Sequence, residues 1–282
     1  MYKYRGSKAT LSPAILALIS AETRHYIEPF AGSTRTAKAL LSDSRFNGLS
    51  VTISDTDYVI VLFWKILRDE PTRLQSAIWD LVNKLLLPEQ QRAWYERTRL
   101  RLRVTGAFSC PIRRSAAFFL CSHYSRNGVA LPREGFHSGG WSDFAHLKDA
   151  IRRVGEWSEL FSNVEILHSD YRSVINRYAS PYATFYLDPP YQFTYTDSIY
   201  WGGMDHKAFF GFISQTNARW ILTYDVGPEL RKQWRMSNFW IDEDIGGIYA
   251  RSRNPRTEFI ARSQAPSLSA LRIYNKIKRR LN

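Results

Sequence analysis

Residues 183–191 read ATFYLDPPY, an apolar run that ends in an aspartate, two prolines and a tyrosine. The length and aromatic content of the run are typical of a buried strand. The prolines end such a strand, because each fixes φ and lacks a backbone N–H, and they restrict the residue before them. The sequence therefore predicts a rigid polar corner at the end of a buried strand, with Asp188 at its start.

Four other stretches have strand character, and helix-like segments alternate with them. They are HYIE (25–28), VTISD (51–55), VEILHSD (164–170) and WILTY (220–224). The first precedes the helical TRTAKALL, and the second precedes the amphipathic YVIVLFWKILRD. Repeated strand–helix units predict an α/β protein with a doubly wound, parallel sheet.

Polar segments follow the predicted strands at four points: PFAGS (29–33), SDTD (54–57), HSD (168–170) and DPPY (188–191). Ligands bind doubly wound sheets in the crevice beyond the carboxyl ends of the strands. We therefore expect all four segments to face one ligand-binding crevice.

The alternation stops between residues 67 and 161. We interpret 67–161 as a mostly helical insertion into an α/β domain that is formed by residues 1–66 and 162–282. Residues 92–114 hold seven arginines against a single acid, Glu96. The whole chain has a net charge of +13, which favours a polyanionic partner such as nucleic acid. An acidic membrane surface is the competing partner, and a solvated helix face is the simpler explanation of the arginines.

Composition limits the class of protein. The 282 residues, 44% of them hydrophobic, suit one large domain with an insertion. No apolar run reaches the roughly 18 residues of a membrane-spanning helix, so we expect no membrane span. The only two cysteines, Cys110 and Cys121, fit reduced thiols in a cytoplasmic protein. Histidine and cysteine spacings match no common metal motif, and no metal site is predicted.

The predicted crevice lacks the two common phosphate-binding patterns. GSK at 6–8 has neither the upstream glycine nor the preceding strand of a P-loop, and FAGSTRT at 30–36 has one glycine where a dinucleotide fingerprint needs three. Asp55 nevertheless lies 23 positions after Gly32, about the spacing at which an acid recognises a ribose. A nucleoside without a pyrophosphate fits this pattern, and S-adenosylmethionine is such a ligand.

The motifs occur in an order that resembles the Dam-type DNA adenine-N6 methyltransferases. They are YRGSK (4–8), IEPFAGS (27–33), ISDTD (53–57), HSD (168–170) and DPPY (188–191), with weaker likeness in HYSRNG (123–128) and RTEFIARS (256–263). The resemblance implies a Rossmann-like methyltransferase sheet with an inserted DNA-recognition domain. It implies methyl transfer from S-adenosylmethionine to adenine N6 in double-stranded DNA after base flipping. It further implies a cytoplasmic setting in a bacterial or phage-infected host cell, where restriction–modification is one possible role.

The same resemblance implies roles for individual residues. For catalysis, the Asp188 carboxylate and the Pro189 carbonyl accept hydrogen bonds from the adenine amine, Pro190 stiffens the corner and Tyr191 stacks on the base. The implied cofactor-binding residues are Tyr4, Lys8, Pro29, Phe30, Ala31, Gly32, Ser33, Asp55, Asp170 and Asp188. For DNA binding we predict Arg99, Arg101 and Arg103 from the arginine-rich part of the insertion, and Ser125, Arg126 and Asn127 from the SRNG stretch that is similar to the family.

Several alternatives stay open at this point. Thr34 stands where the family commonly has a second glycine, so a non-catalytic DNA-binding relative of the same fold is one alternative. Methylation of cytosine N4 uses related chemistry and is another. Asp55 could simply end its strand, and Asp170 could simply cap a helix. Cytosine C5 methylation is disfavoured, because Cys110 precedes its proline rather than following one. No oligomeric state follows from the sequence.

Overall fold

The computed structural model describes residues 2, 9–125, 135–137, 141–191, 204–225, 240–245, 258–263 and 267–281. Four of the predicted site residues, Tyr4, Lys8, Arg126 and Asn127, lie outside these ranges. Backbone contacts divide the chain into two compact units. The first comprises residues 1–7 and 55–168, and the second comprises residues 8–54 and 169–282. The domain boundaries that we drew from the sequence stay a prediction.

The described residues contain one seven-stranded sheet with the strand order β3-β2-β1-β4-β5-β7-β6. The strands are β1 His25–Glu28, β2 Ser50–Asp55, β3 Glu165–His168, β4 Ala183–Leu187, β5 Arg219–Asp225, β6 Trp240–Ile245 and β7 Glu258–Arg262. β1 is parallel to β2 and β4, and β4 is parallel to β5. β7 runs antiparallel to both β5 and β6. This mostly parallel, Rossmann-like sheet confirms the predicted fold class.

Eleven α-helices lie in the described ranges. They are α1 Ser12–Ala17, α2 Arg35–Leu41, α3 Tyr58–Asp69, α4 Pro71–Lys84, α5 Pro88–Arg101, α6 Pro111–Tyr124, α7 Trp141–Arg152, α8 Val154–Phe161, α9 Tyr171–Tyr178, α10 His206–Gln215 and α11 Leu268–Leu281. Helices α4 to α8 all fall within the segment that we predicted to be a helical insertion. Across the described ranges, none of the helices is both long and apolar enough to span a bilayer.

Capping aspartates set the starts of three helices. The side chain of Asp57 accepts a hydrogen bond from the Val59 N–H, 2.9 Å away, at the start of α3. Asp170 does the same for α9 and Asp205 for α10. Each carboxylate satisfies an N–H that has no partner within its helix and lies near the positive end of the helix dipole. Two of these capping residues, Asp57 and Asp170, are the last residues of the predicted strand-end segments SDTD and HSD.

The strand order changes direction between β1 and β4. From β1 the chain continues to β2, next to it on one side, whereas β4 lies on the other side of β1 and leads on to β5. Such a reversal is the point at which α/β sheets bind ligands, beyond the carboxyl ends of the strands. Both strands end there in an acid followed by a proline, Glu28–Pro29 and Asp188–Pro189.

Side chains of β1, β4 and β5 alternate between the two faces of the sheet. On one face, Ile27, Phe185 and Trp220 belong to the apolar core of the second unit, together with residues of α9 and α10. On the opposite face lie polar side chains that are equally buried: Tyr26, Glu28, Tyr186 and Thr223, all at most 4% exposed. The carboxyl edge of the sheet therefore has an apolar face and a buried polar face.

Candidate active site

Asp188 lies at the predicted corner. It follows β4, whose five residues are all buried between β1 and β5. Asp188, Pro190 and Tyr191 are half-buried, and Pro189 is buried. The strand interior thus fixes the position of the corner, while its polar end remains partly accessible.

Two hydroxyl groups donate hydrogen bonds to the same oxygen of Asp188. The Thr223 hydroxyl donates to Oδ1 at 2.9 Å, and the Tyr191 hydroxyl donates to Oδ1 at 3.2 Å. The Tyr186 hydroxyl is also 2.9 Å from the Thr223 hydroxyl. The carboxylate at the corner is therefore held by donors from an adjacent strand and from its own loop.

The Tyr191 ring has a defined packing as well as a hydroxyl contact. It meets the Tyr224 ring edge to face, with the centroids 5.2 Å apart. The Tyr224 hydroxyl lies 2.7 Å from Nδ1 of His206, a residue that is 7% exposed. We predicted a stacking role for Tyr191 from the sequence, and the hydroxyl contact to Asp188 is an additional feature.

Glu28 is a buried acid to which the sequence motifs assigned no role. It is 2% exposed, and its carboxyl group accepts hydrogen bonds from the Tyr26 hydroxyl at 2.7 Å and from the backbone N–H of Ala37 in α2. Burial is the main cause that raises the pKa of Glu28 from 4.5 to about 8, and the charge of Asp188 adds to it, whereas the two hydrogen bonds act in the opposite direction. Glu28 therefore keeps its proton at neutral pH.

Tyr26 responds to the same surroundings. Burial raises the pKa of its hydroxyl well above the usual value, and the neighbouring Glu28, Tyr186 and Asp188 each contribute. The sequence did contain a signal for Glu28, since it stands before a proline at a strand end, as Asp188 does. Its protonation could not be read from that pattern, because it depends on burial.

The turn that follows β1 is tightly held. The Ala31 N–H donates to the Ser54 carbonyl at 2.8 Å, and the Thr34 N–H donates to the Ala31 carbonyl at 2.7 Å. Pro29, Ala31, Gly32 and Ser33 are buried, and the half-buried Phe30 ring stacks on Tyr171 with the centroids 5.5 Å apart. The five predicted cofactor residues of this turn therefore form one continuous, ordered segment.

Thr34 has an unusual backbone conformation in this turn. Its φ is +46°, in the left-handed region, and Gly32 has φ +43°. A β-branched residue with positive φ is rare, because its Cβ crowds the backbone. The Thr34 hydroxyl is buried and has no hydrogen-bond partner among the described residues. The position that carries glycine in the resembling family is thus a glycine-type position here too.

Asp55 and Asp170 both have local structural roles. Asp55 is the last residue of β2, and its side chain accepts a hydrogen bond from the Asp57 N–H at 2.9 Å. Asp170 caps α9 by accepting from the N–H groups of Arg172 and Ser173. A hydrogen bond from the Ser173 hydroxyl, with these N–H bonds, lowers the pKa of Asp170 despite partial desolvation.

Three of the seven arginines in residues 92–114 contact other groups of the protein and are at least partly buried, and the other four are exposed. Arg103 makes an ion pair with Asp57, and its side chain is only 11% exposed. Arg99 bonds to Glu96 at 2.7 Å, and Arg114 donates to the Leu102 carbonyl at 2.6 Å. The exposed members are Arg92, Arg97, Arg101 and Arg113.

Of the residues predicted to contact DNA, Arg101 is exposed and also donates to the Ala107 carbonyl at 2.9 Å. Ser125 is 1% exposed, and a hydrogen bond links its side chain to Tyr95. Arg99 and Arg103 make the internal contacts given above. The accessible positive charge in the described part of this segment therefore comes from the four exposed arginines, of which only Arg101 was among the residues predicted to contact DNA. Sequence alone could not separate the exposed arginines from the others, because partners such as Asp57 are distant along the chain.

The described ranges show no metal centre. No three His, Cys, Asp or Glu side chains within them are grouped so as to hold a metal ion.

Replacing Glu28 should change how stability depends on pH. The unfolded chain releases this proton near pH 4.5 and the folded chain near pH 8, so the contribution of neutral Glu28 is complete below about 4.5 and is lost as pH rises to about 8. Glu28→Gln cannot ionise. As pH rises from about 4.5 to about 8, the wild type should therefore lose on the order of 4 kcal/mol of unfolding free energy relative to Glu28→Gln, as measured by urea unfolding.

The exposed Glu159 of α8 offers a matched control. Glu159→Gln should leave the pH dependence unchanged. Parallel stability curves for Glu28→Gln and the wild type between about pH 5 and 8.5 would show that Glu28 does not retain its proton in the folded state.

Comparison with known proteins gives a family for the chain. No curated protein matches the chain significantly. The family model described as D12 class N6 adenine-specific DNA methyltransferase matches residues 4–226, which include the turn after β1, the helical segment and the Asp188 corner. The chain therefore belongs to the D12 class of N6 adenine-specific DNA methyltransferases.

Proposed function

We propose that the chain methylates N6 of adenine in double-stranded DNA with S-adenosylmethionine as methyl donor, and that Asp188 activates the target amine. The observation that carries the proposal is the corner at the strand-order reversal, where two hydroxyl donors hold the Asp188 carboxylate at one oxygen. Family membership supports the reaction, and the corner supports the assignment of residues.

The target amine needs activation because its lone pair is delocalised into the adenine ring. An ionised carboxylate is an acceptor only, so Asp188 suits an amine hydrogen as its partner. The Pro189 carbonyl is the second acceptor, and Pro190 fixes its orientation. Two acceptors favour a more tetrahedral nitrogen with an available lone pair. Because these groups are oriented in advance, little reorganisation is needed during the reaction.

Tyr191 is the residue that we propose to receive the flipped base. Extruding a base from the duplex costs a few kcal/mol, and stacking on an aromatic ring returns about 1–3 kcal/mol per base. The edge-to-face contact with Tyr224 supports a fixed ring orientation. The hydroxyl bond to Asp188 means that Tyr191→Phe should lose some orientation of the carboxylate, although it keeps the ring that stacks.

The residues of the turn after β1 suit a cofactor that approaches the backbone closely. Gly32 and Thr34 turn the chain through left-handed conformations, and the buried Thr34 hydroxyl has no partner among the described residues. We propose that Pro29 to Ser33 hold the cofactor together with Tyr4, Lys8, Asp55, Asp170 and Asp188. When bound, S-adenosylmethionine supplies a methyl group on a sulfonium, which is a good leaving group.

Contact with DNA is proposed for the arginine-rich segment. Arg92, Arg97, Arg101 and Arg113 are exposed, so they can reach phosphates without breaking internal ion pairs. Arg99, Arg103 and Ser125 stay in the proposal as residues that shape this segment, and Arg126 and Asn127 as candidates for base contacts. Cys110 and Cys121 are both free, which supports a cytoplasmic setting. The bacterial or phage-infected host cell is proposed from the family resemblance alone.

Asp188→Ala should abolish methyl transfer, because it removes the acceptor from the target amine. We expect kcat to fall about 1,000-fold or more, while S-adenosylmethionine binding stays within a few-fold, because Asp188 is proposed as only a peripheral contact of the cofactor. A radiolabelled methyl-transfer assay on mixed-sequence DNA measures the first quantity, and calorimetry measures the second. Asp43→Ala is the control. Asp43 is another capping aspartate, is paired with Arg45 and is distant in sequence from Asp188, so this variant should be fully active. Turnover near the wild-type rate in Asp188→Ala would refute the proposed mechanism.

Thr34→Gly should bind the cofactor at least as tightly as the wild type does. Glycine removes the Cβ branch that narrows the space for the methionine moiety of the cofactor, although its added backbone freedom offsets part of that gain. Calorimetry with S-adenosylmethionine should show saturable binding for both proteins. No binding by the wild type at millimolar cofactor, with binding restored in Thr34→Gly, would identify a decayed enzyme that only holds DNA.

Salt dependence should identify the arginines that touch phosphates. The slope of log affinity against log salt changes by about 0.9 for each phosphate that the protein no longer neutralises. We expect that change for Arg97→Gln and for Arg101→Gln. Arg153 lies in the same helical region but is paired with Glu156, so Arg153→Gln is the matched control. Slopes that do not differ among the four proteins would contradict a role for the two arginines.

A further inference from the structure

The hydroxyl of Thr223 lies between two other oxygens in the buried polar face. Thr223 belongs to β5, is 0% exposed, and is 2.9 Å from Oδ1 of Asp188 and 2.9 Å from the Tyr186 hydroxyl. Tyr186 lies on β4, two positions before Asp188, which directly follows that strand, so both side chains leave the chain on the same side. Residues of neighbouring strands thus form a short chain of hydroxyl groups that ends at the carboxylate.

The direction of this chain follows from counting protons. A threonine hydroxyl has one proton, and a carboxylate can only accept. Thr223 therefore donates to Asp188 and must accept from Tyr186. The three groups form one directed sequence, Tyr186 to Thr223 to Asp188. Polarisation along such a sequence strengthens the bond that reaches the carboxylate.

An aspartate carboxylate needs outside contacts to fix its rotation. The torsion about its Cβ–Cγ bond joins sp³ and sp² atoms and is broad rather than confined to sharp wells. The prolines after Asp188 fix the backbone of the corner but do not act on this torsion. The 3.2 Å bond from Tyr191 comes from a residue that would also contact the base. Thr223, in contrast, is held in the interior of a strand.

We propose that Thr223, oriented by Tyr186, is a positioning residue for adenine methylation, because its hydroxyl fixes the rotation of the Asp188 carboxylate toward the target amine. The inference rests on the proposed function, in which Asp188 accepts a hydrogen bond from that amine. Thr223 touches neither substrate nor cofactor in this role and acts only through Asp188. Its loss should therefore slow the chemical step without weakening the binding of DNA or cofactor.

The test compares Thr223→Val, Thr223→Ser and Tyr186→Phe in single-turnover methyl transfer with saturating DNA and S-adenosylmethionine. Valine keeps the shape and removes the hydroxyl. A lost hydrogen bond to a charged group corresponds to a rate about 10- to 100-fold slower. Serine restores the hydroxyl, so its rate should lie within about threefold of the wild type. Dissociation constants for DNA and cofactor should change less than about threefold in all variants.

Thr184 gives a matched control on β4. It is a buried threonine on the same face, and its hydroxyl lies 2.8 Å from that of Thr23 at the amino end of the sheet. Thr184→Val should lose a similar buried hydrogen bond and some stability, measured by thermal unfolding, but should keep the wild-type rate. If valine at 223 prevents folding, Thr223→Ala is used in its place.

Four results would overturn the inference, the last of them through the proposed function on which it rests. A wild-type rate in Thr223→Val would show that the hydroxyl is not needed, and equal losses in the serine and valine variants would indicate packing instead. An added loss from Tyr186→Phe in the Thr223→Val protein would show that Tyr186 does not act through Thr223. Absence of methyl transfer by the wild type would refute the proposed function itself, and with it the inference.

Discussion

The carboxyl edge of the sheet depends on one electrostatic constraint. Glu28 ends β1 and Asp188 directly follows the neighbouring parallel strand β4, and the negative charge of Asp188 disfavours ionisation of the buried Glu28. Two negative charges in such a place are costly, since desolvation and repulsion both act against the second one. The protein meets this constraint by leaving a proton on Glu28, where burial is greatest. The Ala37 N–H ties that carboxyl group to the first turn of α2, and the Tyr26 hydroxyl lies 2.7 Å from its Oε1.

The strain in the turn after β1 is a second feature of the same region. Thr34 keeps a left-handed backbone although it is neither glycine nor asparagine. The turn persists because the Ala31 bond to Ser54 and the stacking of Phe30 on Tyr171 hold the chain on both sides. Strained residues of this kind persist only where the surrounding structure determines their conformation, and they cluster at functional sites. A rigid turn suits a ligand that must be placed accurately relative to the reacting amine.

The sequence predicted the parts of this structure that arise from local pattern. The strand at 25–28 and the helix at 58–69 have the predicted bounds, because period and capping residues are both local. The corner at Asp188 could also be predicted from the sequence, since prolines mark a strand end. The protonation of Glu28 and the bond from Thr223 were not readable, because both depend on partners from other strands. The ion pair between Arg103 and Asp57 could not be predicted either, because its partners are distant in the sequence. A run of charged residues does not show which of its members are paired.

The chemistry of the donors around Asp188 fits the task that the corner is proposed to perform. Activation of an amine needs a strong acceptor in a fixed orientation, and a neutral donor withdraws less charge from a carboxylate than a cationic donor does. Thr223 and Tyr191 are neutral, so they orient Oδ1 while withdrawing less of its charge. Protonated Glu28 likewise adds no second negative charge to repel the carboxylate. Neutral hydroxyl groups can therefore provide orientation with a smaller loss of the acceptor strength on which methyl transfer to the amine would depend than a cationic donor would cause.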